Sequence, residues 1–251
     1  MLVMENVSKH YRHRGQWTAV LDSVNLHIGP GEFVAVVGPS GSGKSTLLLM
    51  LGGMLSPSTG RVLLEGRSLY DLSSDQRARL RKQKIGFVFQ TFHLLGYLTA
   101  LENVEAALYL AGVAPELQRQ RATELLRRVG LGQRLHHKPC ELSIGQQQRV
   151  ALARTLANDP PLILADEPTG NLDPENGSQI FEFLEQLHRQ GKTLVVVTHD
   201  PRAARRAQRV VRLQEGRLLA AGQQAPHALP LARPRRHRRA RAPGADGERF
   251  H

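Results

Sequence analysis

The chain has 251 residues, of which 41% are hydrophobic and 5% aromatic, so its length suits one domain with a subdomain and an aliphatic α/β interior. The formal net charge of +12 keeps nucleic acid, anionic lipid and acidic partners open. No window of eighteen apolar residues occurs, which excludes a membrane-spanning helix.

The first residues and the cysteine count both bear on the compartment. MLVMENVSKHYRHRG lacks the basic segment and apolar run of a secretory signal. Cys140 is the single cysteine, so the chain cannot form an internal disulfide and suits a reducing compartment. Cys140 has no Cys/His cluster around it at metal-ligand spacing, and we interpret it as a packing residue.

The first elements are short apolar stretches separated by turns. LVMENV and LDSVNLHI predict two antiparallel strands, and FVAVV at 33–37 predicts a buried strand after the turn Pro30-Gly31. A helix is predicted over 44–54. RVLLEGRSL, with its Glu65-Gly66 turn, predicts a hairpin.

The middle of the chain is predicted to be mainly helical. Helical patterns cover 75–84, 101–112 and 115–129. The last of these has four apolar residues on one face, Leu117, Leu125, Leu126 and Val129. We expect that stripe to pack in the core, and we expect a helical insert, roughly 91–158, to interrupt the sheet fold.

The last part of the chain returns to strands. PLILAD and TLVVVTH are nearly all apolar, as strands buried on both faces must be, and they flank a helix at 174–190. VVRLQEGRLL closes the fold as a hairpin. The predicted fold class is α/β: a P-loop NTPase core with a parallel sheet, an antiparallel β subdomain and the helical insert, over residues 1–222. The arginine-rich stretch RPRRHRRAR predicts a basic, disordered tail at 223–251.

A phosphate-binding loop follows the third strand. GPSGSGKS at 38–45 fits G-x-x-x-x-G-K-[ST], with a strand before it and a helix after it. Such a loop curls backbone N–H groups around a phosphate at a helix N-terminus. We expect Lys44, a surface lysine, to face the β- and γ-phosphates of ATP, and the Ser45 hydroxyl to bind Mg²⁺. The residues predicted to surround the phosphates are Gly38, Pro39, Ser40, Gly41, Ser42, Gly43, Lys44, Ser45 and Thr46.

Two acids end the buried strand LILADE. Asp166 is placed to hold Mg²⁺ through water, and Glu167 is placed to polarise the water that attacks the γ-phosphate. Together with the phosphate-binding loop, this pair predicts a P-loop NTPase. It does not choose among kinases, GTPases, helicases and transport ATPases.

A second phosphate-binding element lies at LSIGQQQR, which begins at Leu142 and precedes the helical VALARTLAN. The pattern puts Ser143 and Gly145 at a helix N-terminus, which attracts anions. Because this element has no nucleotide motif of its own, it suggests that two chains sandwich each nucleotide.

In these stretches the chain resembles the ABC-type ATPases over roughly residues 1–222, since LSIGQ is similar to the family signature LSGGQ and six motifs occur in the family order. The resemblance implies that Tyr11 stacks on adenine and that Gln90, in GFVFQ, contacts Mg²⁺ and water and relays to a membrane partner. It also implies that Asp173 belongs to a loop crossing a dimer interface, and that His199 contacts the γ-phosphate.

The signature departs from the family at one position. The resemblance implies that Ser143, Gly145 and Gln146 contact the nucleotide of a second chain, but Ile144 stands where the family has glycine. Isoleucine disfavours a positive φ and adds bulk. We therefore expect a working but slower site.

TFHLLGYLTALENV and EPTGNLD resemble the ATPase subunits of the lipoprotein-releasing and macrolide-efflux group. This implies a homodimer or paired ATPase subunit on the cytoplasmic face of the inner membrane, bound to permease subunits and driving export or lipoprotein release. A soluble ABC ATPase acting on nucleic acid or ribosomes is the alternative. It suits the basic charge, but the chain has one cassette and no sustained heptads, and no specific nucleic-acid binding is expected. A small-molecule kinase would leave LSIGQ, Asp173 and His199 unexplained.

Overall fold

The computed structural model describes residues 1–13 and 15–219, so the predicted tail at 223–251 lies outside the described residues. The strands are β1 Leu2–His13, β2 Gln16–Ile28, β3 Phe33–Val37, β4 Thr59–Leu64, β5 Arg67–Ser68, β6 Ile85–Val88, β7 Leu162–Asp166, β8 Thr193–Thr198, β9 Arg209–Gln214 and β10 Arg217–Leu218. The helices are α1 Lys44–Leu51, α2 Ser74–Lys84, α3 Ala100–Ala111, α4 Pro115–Arg128, α5 Ile144–Thr155, α6 Pro174–Arg189 and α7 Pro201–Ala204, with a 3₁₀ turn at Pro139–Glu141.

The larger sheet has six strands in the order β10-β9-β3-β8-β7-β6. Its five longer strands pair in parallel, and only β10 runs antiparallel. Strands β3, β8 and β7 are neighbours, so the loops that follow Val37, Thr198 and Asp166 leave from one edge of the sheet. Ligands of open parallel sheets bind at such an edge, and the predicted phosphate-binding and acidic residues lie there.

The smaller sheet has four antiparallel strands in the order β2-β1-β4-β5. The β1–β2 hairpin runs from the pair Leu2–Ile28 to the pair His13–Gln16, with register shifts near its middle. A hydrophobic cluster of buried residues from both sheets surrounds α1. The predicted combination of a parallel core and an antiparallel subdomain is confirmed.

Helix α1 is shorter than predicted, ending at Leu51 rather than at residue 54. Gly52 caps it, and a Cβ at this glycine would lie 1.9 Å from the Phe87 ring. The close approach of a β6 side chain, which an apolar run does not reveal, thus requires glycine where the helix ends.

The helices α3, α4 and α5 share a hydrophobic cluster of their own. Within α4 the buried positions are Ala122 and Leu126, followed by Val129 just beyond the helix. Leu117 is 44% exposed, so its predicted place in the core is wrong. The inward face of a 3.6-residue helix that includes 122, 126 and 129 passes through 118 rather than 117. The predicted limits of the helical insert, 91–158, stay a prediction.

Cys140 is exposed in the 3₁₀ turn before α5, so its interpretation as a packing residue is wrong. Within residues 1–13 and 15–219, no helix combines the length and apolar character needed to cross a membrane.

Candidate functional site

The loop between β3 and α1 contains two glycines, Gly38 and Gly43, at which a side chain would clash with a neighbouring strand. A Cβ at Gly38 would lie 2.1 Å from the Leu213 carbonyl oxygen of β9. Gly43 has a φ of 99°, and a Cβ there would lie 2.7 Å from the Val20 carbonyl oxygen of β2. The loop is therefore held closely between the two sheets, with Gly43 immediately before the first residue of α1.

Lys44 is buried, at 8% exposure, which corrects its description as a surface lysine. Its Nζ donates to the carbonyl oxygens of Gly38 (2.9 Å) and Pro39 (3.0 Å). The hydrogen bonds to these loop carbonyls thus offset part of the free energy needed to bury the ammonium group. A cavity of about 380 Å³ opens beside it. Its lining residues are Val20, Ser40, Gly41, Gly43, Lys44, Ser45, Thr46, Gln90 and Glu167.

Two oxygen atoms that could bind a metal ion, from Ser45 and Asp166, lie close together at this edge of the sheet. Ser45 Oγ donates to Asp166 Oδ1 at 3.1 Å. Burial raises the pKa of Asp166, the charge of Glu167 adds to the rise, and the hydrogen bond from Ser45 and the charge of Lys44 oppose it. A dication placed between these oxygens would relieve that destabilised charge.

The donor set fits Mg²⁺. This ion is commonly bound by one or two carboxylates together with phosphate and water oxygens. In the part of the chain that the structure describes, no group of three His, Cys, Asp or Glu residues could hold a metal by itself. Ser45 and Asp166 would hold the ion, with Gln90 at the cavity wall.

Glu167 and His199 form a pair beside the cavity. Glu167 Oε1 accepts from His199 Nδ1 at 2.9 Å, and Oε2 accepts from the His199 backbone N–H at 3.3 Å. The Glu167 side chain is 13% exposed and that of His199 is 67% exposed. Glu167 also has a φ of 43°, and its backbone N–H donates to the Val197 carbonyl. A left-handed non-glycine residue is costly and is found preferentially at functional sites.

Gln90 and Asp173 belong to the segments that flank this edge. Asn171 Nδ2 donates to the Gln90 carbonyl oxygen at 3.1 Å. Asp173 is the N-cap of α6 and accepts from the backbone N–H groups of Glu175 and Asn176. Asn176 Nδ2 also donates to Asp173 Oδ2 at 2.6 Å. These hydrogen bonds lower the pKa of Asp173, and they give this residue a local role in addition to the predicted one at a dimer interface.

Tyr11 lies on the β1–β2 hairpin opposite Thr18, near Val20 of the cavity wall. Its side chain is not among the cavity-lining residues, and the residue is 42% exposed. Lys9 Nζ lies 5.2 Å from the centre of its ring. Stacking of Tyr11 on adenine stays a prediction.

The signature residues form the start of α5. Ser143 Oγ accepts from the Gln146 backbone N–H (3.2 Å), and Gln146 Oε1 accepts from the Ser143 backbone N–H (3.0 Å), which makes a capping box. Gly145 is buried, and a Cβ there would lie 2.5 Å from Asn176 Oδ1. None of these three residues lines the cavity beside Lys44.

The backbone conformation of Ile144 corrects one of the two reasons given for a slower site. It is the first residue of α5 and is not among the residues with positive φ, so isoleucine imposes no left-handed strain there. Its side chain is 53% exposed. Only the added bulk remains as a reason for a slower site, and the turnover rate stays a prediction.

Sequence reasoning missed three residues that support the site: Gln148, Arg154 and Asn176. The fully buried Gln148 donates from Nε2 to the Pro168 carbonyl oxygen at 2.8 Å. Its helical spacing of four from the apolar Leu152 was a usable signal, since it puts a polar side chain on the buried face. The contacts of Arg154 and Asn176 join segments distant in sequence, and no local pattern reveals them.

The family model described as "ABC transporter" matches residues 21–170 of the chain. An uncharacterized ABC transporter ATP-binding protein of Thermotoga maritima is 53% identical over 198 residues, which cover 79% of this chain and 85% of that protein. A macrolide export ATP-binding/permease protein, MacB, of Bartonella quintana is 46% identical over 220 residues, covering 88% of this chain and 33% of that protein.

MacB of Pectobacterium atrosepticum is 47% identical over 234 residues, or 93% of this chain and 36% of that protein. The chain thus spans about a third of the length of these MacB relatives. A solved dimeric structure of the ATP-binding cassette MJ0796, bound to ADP and Pi, superposes with a TM-score of 0.82 at 46% identity. The superposition covers 87% of this chain and 96% of that one.

Proposed function

The chain belongs to the ABC transporter family, and we propose that it is the ATP-binding and ATP-hydrolysing motor of a membrane transporter, working as a nucleotide-sandwich dimer. The main observation behind this proposal is that five functional side chains lie close together. Lys44, Ser45, Asp166, Glu167 and His199 meet at one edge of a parallel sheet, next to a cavity of about 380 Å³.

The buried ammonium of Lys44 has the reach and charge to bind the β- and γ-phosphates. Its two carbonyl acceptors are neutral, and a phosphate oxygen gives a stronger, charge-assisted hydrogen bond. The N-terminus of α1, which begins at Lys44, favours the same anion. Mg²⁺, held by Ser45 and Asp166, would supply compensating positive charge for the phosphates.

Glu167 would orient and deprotonate the water that attacks the γ-phosphate. Its carboxylate is mostly buried and already holds a hydrogen bond from His199 Nδ1. The imidazole thus fixes the carboxylate orientation, and its 67% exposed ring can turn toward the γ-phosphate when ATP binds. Gln90, on the same cavity wall, would add a side-chain amide to the water-binding set.

The dimer is proposed from the separation of the two phosphate-binding elements. Ser143, Gly145 and Gln146 lie outside the cavity of their own chain, so they would complete the site of a second chain, with Tyr11 stacking on the adenine in the first. The related cassette MJ0796 is a dimer bound to ADP and Pi, which supports this arrangement.

We place the motor with permease segments at the cytoplasmic face of the inner membrane, in an export process. Two of the relatives above are macrolide export ATP-binding/permease proteins. That naming favours transport over the alternative of an ATPase acting on nucleic acid or ribosomes. The cargo contacts would lie in the permease, outside this chain.

The test is the Glu167→Gln variant. We expect ATP to bind with near-normal affinity while hydrolysis falls at least about 100-fold, since the amide cannot accept the proton of the water. The two-chain ATP complex should then accumulate, visible as an ATP-dependent shift from monomer to dimer in size-exclusion chromatography. A Glu185→Gln variant, altered in a helix α6 ion pair with Arg206, is the control and should hydrolyse normally. Wild-type turnover in Glu167→Gln would remove Glu167 from the reaction.

A further inference from the structure

Helix α5 ends beside the segment that follows Gln90. There, the guanidinium of Arg154 donates from Nη1 to the His93 carbonyl oxygen (2.6 Å) and from Nη2 to the Phe92 carbonyl oxygen (2.7 Å). Arg154 is half-buried, and burial lowers its pKa. Among the ion pairs of the described residues, none joins Arg154 to a carboxylate. The two carbonyl contacts are therefore what stabilises this cation away from water.

The segment that Arg154 holds has an unusual backbone. His93 has a φ of 48°, a left-handed conformation that persists only where the surroundings enforce it. The His93 ring also lies within hydrogen-bond distance of Thr91 Oγ1 (2.9 Å) and edge-on to Phe89 (5.1 Å between ring centres). These contacts and the two hydrogen bonds from Arg154 together hold the backbone of the segment that follows Gln90.

The same helix reaches both loops of the candidate site. Gln148, halfway along α5, donates to the carbonyl of Pro168, the residue that follows Glu167. At its start, Ser143 lies eleven residues before Arg154, or about 16 Å along a helix. One rigid element thus connects the signature to the segments next to Glu167 and Gln90.

We propose that Arg154 is a positioning residue: by holding the carbonyls of Phe92 and His93, it keeps Gln90 facing the nucleotide cavity and links Gln90 to the signature end of α5. The proposal rests on the proposed function, since it concerns the same hydrolysis. Arg154 itself is not among the residues that line the cavity, so its loss should change the rate of hydrolysis and not the binding of ATP.

The experiment is a double-mutant cycle on purified protein with Arg154→Met, Gln90→Ala and the pair. We expect Arg154→Met to lower kcat about tenfold with KM and ATP affinity within about twofold. The double variant should be no slower than Gln90→Ala alone, because residues acting through one another are not additive. Arg154→Lys, which can still donate to one carbonyl, should recover part of the rate.

The matched control is Arg81→Met. Arg81 also donates from Nη1 to a backbone carbonyl, that of Gly53, at 3.0 Å, and it does not line the cavity. Its removal should leave kcat within about twofold.

If Arg154→Met does not fold, the cycle is run with Arg154→Gln, which lacks the guanidinium, and Arg154→Lys stays the rescue variant. A wild-type kcat in the Arg154 variant, or losses that multiply in the double variant, would overturn the positioning role while leaving the proposed function intact. If the wild-type protein does not hydrolyse ATP even at concentrations high enough for two copies to associate, both the positioning role and the proposed function are overturned.

Discussion

The nucleotide cavity and the start of α5 are both suited to phosphate, but they are built differently. Around the cavity, each charged group already has a hydrogen-bond partner: Lys44 binds loop carbonyls, Ser45 binds Asp166, and His199 binds Glu167. At the start of α5, the capping box satisfies the Ser143 and Gln146 groups internally, and no charged side chain of the described residues bonds to the capping pair. The charged groups of the first region can rearrange within one chain. The second region has no charged partner among the described residues of its own chain, so we expect an anion to reach it from a second chain.

This difference predicts that changes at the two regions fail in different ways. Changes at the cavity should alter what one chain does alone. Changes at the start of α5 should alter only what two chains do together.

The largest effect is expected from Lys44→Ala. ATP affinity should fall at least about tenfold and turnover at least about 100-fold, because the variant loses the charge that we propose faces the β- and γ-phosphates. The melting temperature should also fall by a few degrees, since two loop carbonyls lose their donor, at about 1 kcal/mol each. Isothermal titration, phosphate release and thermal melting measure the three.

The control for Lys44→Ala is Lys192→Ala. The Lys192 side chain is 14% exposed and its Nζ binds Asp159, away from the cavity. It should lose stability and keep ATP binding. Full ATP affinity in the Lys44 variant would break the assignment of the loop.

The second effect is expected from Ser143→Asp. Asp caps a helix as well as Ser, so the fold and single-chain ATP affinity should stay unchanged. Dimerisation and turnover should fall at least about tenfold, which corresponds to about 1.4 kcal/mol, because the new charge would oppose the phosphate that we propose the partner chain presents there. Gly145 is unsuitable for this test, since any side chain there meets Asn176 of the same chain.

Ser73→Asp is the matched control, because Ser73 and Gln76 form the same capping box at the start of α2. It should dimerise and hydrolyse normally. Weakened ATP binding to isolated Ser143→Asp chains would show that α5 contacts the nucleotide of its own chain. That result would contradict the expectation that the start of α5 acts only between two chains.

The smallest effect concerns stability. Burial raises the pKa of Asp166 above its ordinary value of 3.8, so the ionised acid destabilises the nucleotide-free fold. Asp166→Asn should therefore raise the melting temperature at pH 7. The advantage should shrink as pH falls through the raised pKa, and vanish below 3.8, where both states hold a neutral acid.

The contrasting variant is Asp173→Asn. Hydrogen bonds from Asn176 and the α6 backbone lower the pKa of Asp173, so its ionised form favours the fold. This variant should lose stability at pH 7, and the loss should disappear on acidification. Two variants with the same sign would contradict the burial argument for Asp166.

Most of the fold and the cavity residues could be predicted because their signals are local. Apolar strands, the glycine loop and the acids after β7 each occupy one stretch of chain, and a parallel sheet brings the ends of its strands together. The burial of Lys44 could not be predicted in this way, since it results from carbonyls turning inward. The wrong placement of Leu117 came from a helical phase that was off by one residue.

The segment that contains Ser143 has no nucleotide motif of its own, and this suggested that it lies apart from the cavity. The sequence did not show how the start of α5 packs against the rest of the chain. Gly145 fits against Asn176 of α6, thirty-one residues later in the chain. Arg154 and Gln148 reach segments brought near by the sheet. Such contacts between distant segments are set by packing, which a one-dimensional pattern does not contain.

The exposed Cys140 gives this chain a practical advantage for spectroscopy. It is the single cysteine of the sequence, it is accessible, and it lies three residues before Ser143. A thiol-reactive fluorophore would therefore label each chain once, next to the surface that we propose meets the nucleotide of a second chain. Energy transfer between donor- and acceptor-labelled copies would then follow ATP-driven association in real time, with no engineered attachment point and no background from a second label.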